Sequence, residues 1–309
     1  MKVFNFGSIN IDHIYRIPHF IRPGETLASD KYQMMLGGKG ANQSIALARA
    51  GVMVQHIGRI SYHDEWICRK LQKIGIGVYC VQHVDEPTGH AIIQVSDTGE
   101  NSILLFGGAN RGFSKLSLTE YLSNSQPGDW LLLQNECNLT EDALRLAKQH
   151  QMTIAFNPAP MTADVLNMPL EFVDYLIVNE VEAEDLVNDK TLTAEQPEVL
   201  LEELHKRYPQ TKIVLTLGKQ GVLYKDTEQS LAIAAEVVDV VDTTAAGDTF
   251  IGYFIQQLVV GEPVEIALQM ANKAAAITVQ TLGASDSIPF ISQLIDEQPD
   301  NKQTETVNA

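Results

Sequence analysis

Short, largely apolar runs alternate with longer stretches of helical spacing over most of the chain. The runs at 3–9, 52–60, 129–134, 152–157, 175–179 and 212–218 are bounded by glycine or polar residues and read as buried strands. Between and after them, apolar positions three and four apart predict helices at 41–50, 64–74, 140–150, 180–188, 195–208, 248–260 and 263–281. Gly51 and Gly75 follow two of these helices, where a left-handed residue commonly closes the last turn. Alternation sustained over this length predicts an α/β fold: a doubly wound, mainly parallel sheet flanked by helices on both faces.

Two stretches break the rhythm. Residues 11–36 lack helical spacing and contain Pro18, Pro23 and Gly24, and residues 88–106 read as two strands around the turn Asp97-Thr98-Gly99-Glu100. Together they are expected to form a small β-sheet lid beside the main sheet. The sequence contains no long linker or internal repeat, so residues 1–297 are expected to form a single domain. The polar tail 298–309 is expected to lack fixed structure.

Charge and cysteine content narrow the function. Among 309 residues the formal net charge is -17, which argues against a broad nucleic-acid surface. A small anion would instead need a local positive site, such as a helix N-terminus or a metal ion. The three cysteines, Cys68, Cys80 and Cys137, form no CxxC pair and suggest free thiols in a reducing compartment. Cys137 reads as a buried packing residue. The opening MKVFNFGSIN reads as a strand rather than a signal peptide, and no apolar run approaches the roughly 18 residues of a membrane span. The expectation is a cytoplasmic protein with neither membrane nor nucleic-acid partner.

Five stretches are candidates for chemistry. In VVDTTAAGDTF (240–250), Asp242 ends an apparent strand run, and a helical stripe starts at Phe250. Ala245-Ala246-Gly247-Asp248 is then a strand-to-helix turn, whose unpaired N–H groups and small side chains would admit a phosphoryl group. Asp248 beside such an anion hole would take a proton from an attacking hydroxyl; the plainer alternative is a favoured acid in a first helical turn. In LGGKGANQS (36–44) the glycine spacing fits neither a Walker A loop nor a dinucleotide fingerprint, but Lys39 and Asn42 would supply donors where a backbone meets a ligand. Asn10 and Asp12 follow the first strand and suit vicinal sugar hydroxyls, or else form an Asx turn. Asn179 and Glu182 share a helical face and would hold the waters of a magnesium ion, or else cap a helix. The turn at 217–221 has the form of a nucleotide-side turn. The sites at 10–12, 179–182, 217–221 and 242–248 are expected at one edge of the sheet.

With GGKGANQ and DTTAAGDTF in this order, the chain resembles the ribokinase branch of the ribokinase-like carbohydrate kinase superfamily over about residues 3–290. The segments GSINIDH (7–13), PGET (23–26), GGAN (107–110), NPAP (157–160), NEVEAE (179–184) and TLGKQG (216–221) resemble it too. Ala245 stands where many members have Gly and ribokinases often have Ala; Ile251 stands where ribokinases more often have Asn. The resemblance implies ATP-dependent phosphorylation of D-ribose at its 5-hydroxyl. It implies Asp248 as base, and the backbone of Ala245, Ala246, Gly247 and Asp248 as anion hole. Asn10, Asp12, Gly38, Lys39, Asn42 and Glu136 match sugar positions, Glu136 having no signal of its own in LLLQNEC. Asn179, Thr216, Gly218, Gly221, Gly247 and Asn272 match nucleotide positions, and Glu182 the acid that orders Mg2+ through water. Asp242, Thr244, Gly283 and Ser287 resemble a site for K+ or another monovalent cation. The family also implies a homodimer through the β-lid. Alternatives are a kinase of 2-deoxyribose, fructose or adenosine, or a sugar-binding sensor without catalysis. The presence of Asp248, Gly247 and Lys39 argues against the sensor, and the missing GxGxxG against a dinucleotide enzyme.

Overall fold

In the computed structural model, which describes residues 1–189 and 191–295, a nine-stranded sheet forms the frame and a four-stranded sheet stands beside it. In chain order the elements are β1 (Val3–Phe6), β2 (Asn10–Ile17), β3 (Lys31–Gly37), α1 (Lys39–Arg49), β4 (Val54–Ser61), α2 (Trp66–Lys73), β5 (Gly77–Val84), β6 (Gly89–Ser96), β7 (Asn101–Phe106), α3 (Lys115–Leu122), β8 (Trp130–Gln134), α4 (Thr140–Gln149), β9 (Thr153–Asn157), β10 (Tyr175–Asn179), α5 (Glu180–Val187), α6 (Pro197–Arg207), β11 (Lys212–Thr216), β12 (Val222–Lys225), β13 (Ser230–Ile233), α7 (Ala246–Val260), α8 (Val264–Thr278) and α9 (Ile291–Ile295). The segment expected as a tail, 298–309, lies outside the described residues.

The large sheet runs β13-β12-β11-β10-β9-β8-β1-β4-β5. Pairings from β11 across to β5 are parallel, and β12 and β13 add two antiparallel strands at one edge. From β1 the chain steps outward to β4 and β5; from β8 it steps the other way to β11. The order therefore reverses between β1 and β8, where an open α/β sheet leaves a crevice at the carboxyl ends of its strands.

Side-chain alternation explains the two covered faces. Phe4, Leu131, Ile154, Leu176 and Ile213 belong to one buried cluster, with residues of α3 to α6. Their sequence neighbours Val3, Leu132, Ala155, Ile177 and Val214 belong to the other, with residues of α1, α2, α7 and α8. Each strand therefore buries both faces, which is why it reads as a short apolar run without polar alternation.

The small sheet runs β3-β2-β6-β7, built from the two stretches that lack helical spacing. One of its faces carries the row Met35–Asp12–Ala91–Leu105 and the opposite face the row Met34–His13–Ile92–Leu104. Among the described residues no helix is long and apolar enough to cross a membrane.

Several elements differ from the sequence reading. The first strand stops at Phe6 rather than 9, and Asn10–Asp12 open β2 of the small sheet instead of following a main-sheet strand. The VVDVVD run is not a strand; residues 234–241 carry no assigned strand or helix, and Val237, Val240 and Val241 are exposed. Valine's β-propensity has effect only where an edge offers partners. Here the backbone meets α8's end instead, with Val241 N and Asp242 N donating to Val279 O. The elements β5, α3, β12 and β13 were not anticipated. The last two are short; β12 buries only alternate residues and β13, at the sheet edge, buries none fully, so they lack the continuous apolar run that marked the others.

Candidate active site

Asp248 lies in the first turn of α7 and is only 8% exposed. Ala245, in the left-handed region at φ 64°, turns the chain into this helix, which has no side-chain cap. Ala246 N reaches back to Thr243 O at 3.2 Å. A Cβ on Gly247 would meet nothing within 4 Å, so internal packing does not require a glycine there. The bare residue instead leaves the helix's opening N–H groups accessible from the cleft.

Helix α1 orients the Asp248 carboxylate. Asn42 Nδ2 donates to Oδ2 at 3.0 Å and Gln43 Nε2 to Oδ1 at 2.9 Å. The two helices meet at Gly252, where a Cβ would lie 2.3 Å from Ala46 Cβ. Gln43 is itself fixed from below. Gln134 Nε2 donates to Gln43 Oε1 at 2.6 Å and to Asn5 Oδ1 at 3.0 Å. Asn5 Nδ2 donates to Gly40 O and Ser44 Oγ, both at 2.8 Å, and Ser44 Oγ pairs with His56 Nδ1 at 2.8 Å. Burial holds His56 down at about 4, so it is neutral at physiological pH. Sequence reasoning quoted Gln43 within GGKGANQ but gave it no role, and it passed over Asn5 and Gln134. Nothing in their spacing marks them, because the contacts join residues 91 and 129 positions apart.

Glu136 follows β8 and links two depressions. Its Oε2 accepts from Lys39 N at 3.1 Å and from the Ser8 hydroxyl. It lines a depression of about 400 Å³ with Asn10, Phe106, Gly108, Asn110 and Arg111. Asn110 Nδ2 donates to Asn10 Oδ1 at 2.8 Å and so fixes that side chain. Asp12 reaches the area from the small sheet, its carboxylate lying against Gly37, where a Cβ would be 2.0 Å from Oδ2. Burial and then the Glu136 charge push Asp12 up to about 6.

The second depression, about 190 Å³, lies at the carboxyl ends of β9, β10 and β11. Lys39, Asn157, Asn179, Glu182, Thr216, Thr243, Ala245, Gly247 and Asp248 line it. The Asp248 charge holds Lys39 above the usual lysine range against burial, with help from Glu136 and Glu182. Asn179 and Glu182 form a capping box: Glu182 N donates to Asn179 Oδ1 at 2.8 Å and Asn179 N to Glu182 Oε2 at 3.1 Å. Burial raises Glu182 above the ordinary carboxylate range, opposed by the Asn179 N–H and Lys39. The helix-capping role and the place on the cleft are thus both realised. Gly218, Gly221 and Asn272 stand outside this lining. Gly221 sits against the Ile233 carbonyl, and Asn272 donates to Ile233 O at 3.4 Å and Ala234 O at 3.2 Å.

Asp242 ties two loops together below the α7 turn. Oδ1 accepts from Thr244 N at 2.9 Å and Thr244 Oγ1 at 2.7 Å, and Oδ2 from Gly283 N at 3.0 Å. Burial works to raise its pKa, but these donors outweigh it and hold the carboxyl below its usual range. Ser287 Oγ donates to Gly283 O at 2.7 Å, which brings all four expected residues together. The side-chain and carbonyl atoms they could offer a cation are oxygens only, a set that would suit an alkali cation rather than a soft metal.

The arrangement is that of a phosphoryl-transfer site: a fixed carboxylate, an uncapped helix start and a lysine between two depressions. Comparison with known proteins agrees. The ribokinase of Haemophilus influenzae is 36% identical over 289 residues, covering 92% of this chain and 94% of that protein. A crystal structure of ribokinase from Cryptococcus neoformans in complex with ADP superposes with a TM-score of 0.86 at 34% identity, covering 96% of this chain and 99% of that one. Arabidopsis thaliana ribokinase complexed with ribose and ATP gives a TM-score of 0.84 at 28% identity, covering 96% and 97%. The pfkB family carbohydrate kinase pattern matches residues 1–291, and this chain belongs to that family.

Proposed function

We propose that this carbohydrate kinase transfers the γ-phosphoryl group of ATP to the 5-hydroxyl of D-ribose. The observation that carries the reading is the Asp248 carboxylate, held on both oxygens by Asn42 and Gln43 beside the uncapped start of α7. Asp248 accepts the proton of the 5-hydroxyl as that oxygen attacks. The N–H groups of Gly247 and Asp248 hold the transferring phosphoryl, and Lys39 balances its charge. Asn10, Asp12, Gly38, Asn42 and Glu136 hold the sugar, and Asn179, Thr216, Gly218, Gly221 and Asn272 lie on the nucleotide side. Glu182 faces the same depression as Asp248 and would order the waters of a magnesium ion, which, bound with ATP, would supply charge neutralisation on the phosphates. Asp242, Thr244, Gly283 and Ser287 would hold a monovalent cation, whose charge would steady the loop beside the anion hole.

The β-sheet that brings Asp12 closes over the sugar as a lid and joins a second copy in a homodimer. Exposed Met34 and Leu104 on the face opposite Asp12 support that pairing. Three free, buried thiols support a cytoplasmic location. An ADP-release assay with ATP and magnesium over a panel of ribose, 2-deoxyribose, fructose and adenosine tests the reading. Ribose is expected to be preferred, with a further rise on adding K+. Preference for another acceptor would overturn the sugar assignment.

A further inference from the structure

Away from the cleft, three side chains of different chemistry converge between α2 and the edge strand β5. Glu65 and Cys68 lie three residues apart at the start of α2, and His83 faces them from β5. His83 Nε2 is 2.5 Å from Glu65 Oε2 and 3.9 Å from Cys68 Sγ. One ligand atom from each lies within 4.8 Å of the other two. Cys68 is 3% exposed, whereas the His83 and Glu65 side chains are 30% and 47% exposed, so the cluster has a closed sulfur side and an open side toward solvent. The Tyr62 ring lies beside the His83 ring, centroids 6.2 Å apart.

We propose that Glu65, Cys68 and His83 form a zinc site, with water in the fourth position. Thiolate, imidazole and carboxylate are the donors zinc takes, and three protein ligands plus water is a common arrangement for it. Tetrahedral zinc spaces such atoms by about 3.3–3.7 Å, given bonds near 2.0–2.3 Å. The sulfur and nitrogen need to approach by only a few tenths of an ångström, and the carboxylate to move out by less than about 1 Å. Magnesium, which demands oxygen ligands, would not compete, so this site is separate from the metal of the nucleotide. Binding displaces the Cys68 thiol proton, and any proton on His83 Nε2, to solvent, so that sulfur and nitrogen lone pairs meet the ion.

The position gives the site a consequence. His83 is one residue from the end of β5, and residues 85–88 connect that strand to β6 of the small sheet. Beside Glu65, Asp64 Oδ2 accepts from Thr88 Oγ1 at 2.6 Å, and Thr88 Oγ1 accepts from Ser61 N at 2.8 Å. An ion bridging α2 and β5 would thus brace the root of the small sheet.

The test is metal titration of the full, untagged chain in excess Mg2+, with Zn2+ alone competing against a chromophoric chelator and Co2+ alone followed by its thiolate charge-transfer absorption. One ion per chain is expected. Cys68→Ser should abolish the thiolate band, and His83→Gln and Glu65→Gln should each weaken binding by at least about tenfold, the loss that even an outer-shell change can cause. Cys68→Ser should leave the zinc-free, magnesium-supported kinase activity unchanged. Zinc bound equally well by all three variants, or no stoichiometric binding by the wild type, would overturn the site. Glu65 is half exposed, so its variant remains informative if Cys68→Ser misfolds.

Discussion

Asp248 is the residue on which the proposed chemistry turns, and its geometry depends on Gln43, which donates to one carboxylate oxygen while Gln134 fixes Gln43 from behind. Gln43→Leu removes that donor and leaves Asn42 in place. It is expected to lower kcat by about 10²-fold, the cost of a misplaced catalytic group, with much less change in the ribose KM. Equal losses in both parameters would argue for general damage to the pocket. Asp12 offers a pH signature. Its carboxyl is pushed up to about 6, and a neutral carboxyl accepts sugar hydroxyls poorly. The ribose KM is therefore expected to rise as pH falls through about 6, and Asp12→Asn should abolish this dependence. A raised pKa also means that Asp12's contribution to stability is full below its ordinary value and lost as pH rises through about 6. The same variant should raise Tm at neutral pH but not near pH 4. At this scale the sequence was uneven. Asp248 and Lys39 stood out by their glycine-flanked turns. Glu136, Asn5 and Gln134 did not, because burial and long-range pairing assign their roles and local spacing carries neither.

Among the elements, the start of α7 is the part that internal packing least explains. Gly247 has open space where a side chain would go. Alanine there should not destabilise the fold, and intrinsic helix propensity favours it by about 1 kcal/mol. Gly247→Ala is expected to keep or raise Tm while lowering kcat/KM for ATP, because the methyl group would stand where the phosphoryl approaches. Unchanged ATP kinetics would remove the anion hole from the mechanism. Elements buried on both faces were legible as runs: β8 and β10 are apolar because both sheet faces are covered. The small sheet was legible only as a break in helical spacing, and the VVDVVD segment misled because its valines advertise a strand that no neighbouring edge accepts.

Across the whole molecule, the first depression lies beside the reversal, through Asn10 and Glu136, and the second at the neighbouring carboxyl ends of β9 to β11, where α1 brings Lys39 and α7 brings Asp248. The alternation of runs predicted that architecture, and the family comparison bears out the ribokinase-like reading drawn from the two signature stretches. The convergence of Asp12 was less legible, since it comes from the small sheet rather than from a main strand. In the proposed homodimer that sheet would carry the association surface. Leu104→Glu places a charge in its exposed apolar row and is expected to convert a dimer to a monomer in sedimentation velocity. A wild-type protein already monomeric at assay concentrations would contradict the proposed homodimer.

The central claim is that the carboxylate at the start of α7 removes the proton from the sugar hydroxyl. Its most direct test is ADP release with saturating ribose, ATP and magnesium, comparing the wild type with Asp248→Asn, which keeps the side-chain shape. Turnover lower by about 10²–10⁴-fold, with the fold and ATP binding intact, is the expected result. Near-wild-type turnover in Asp248→Asn would contradict it.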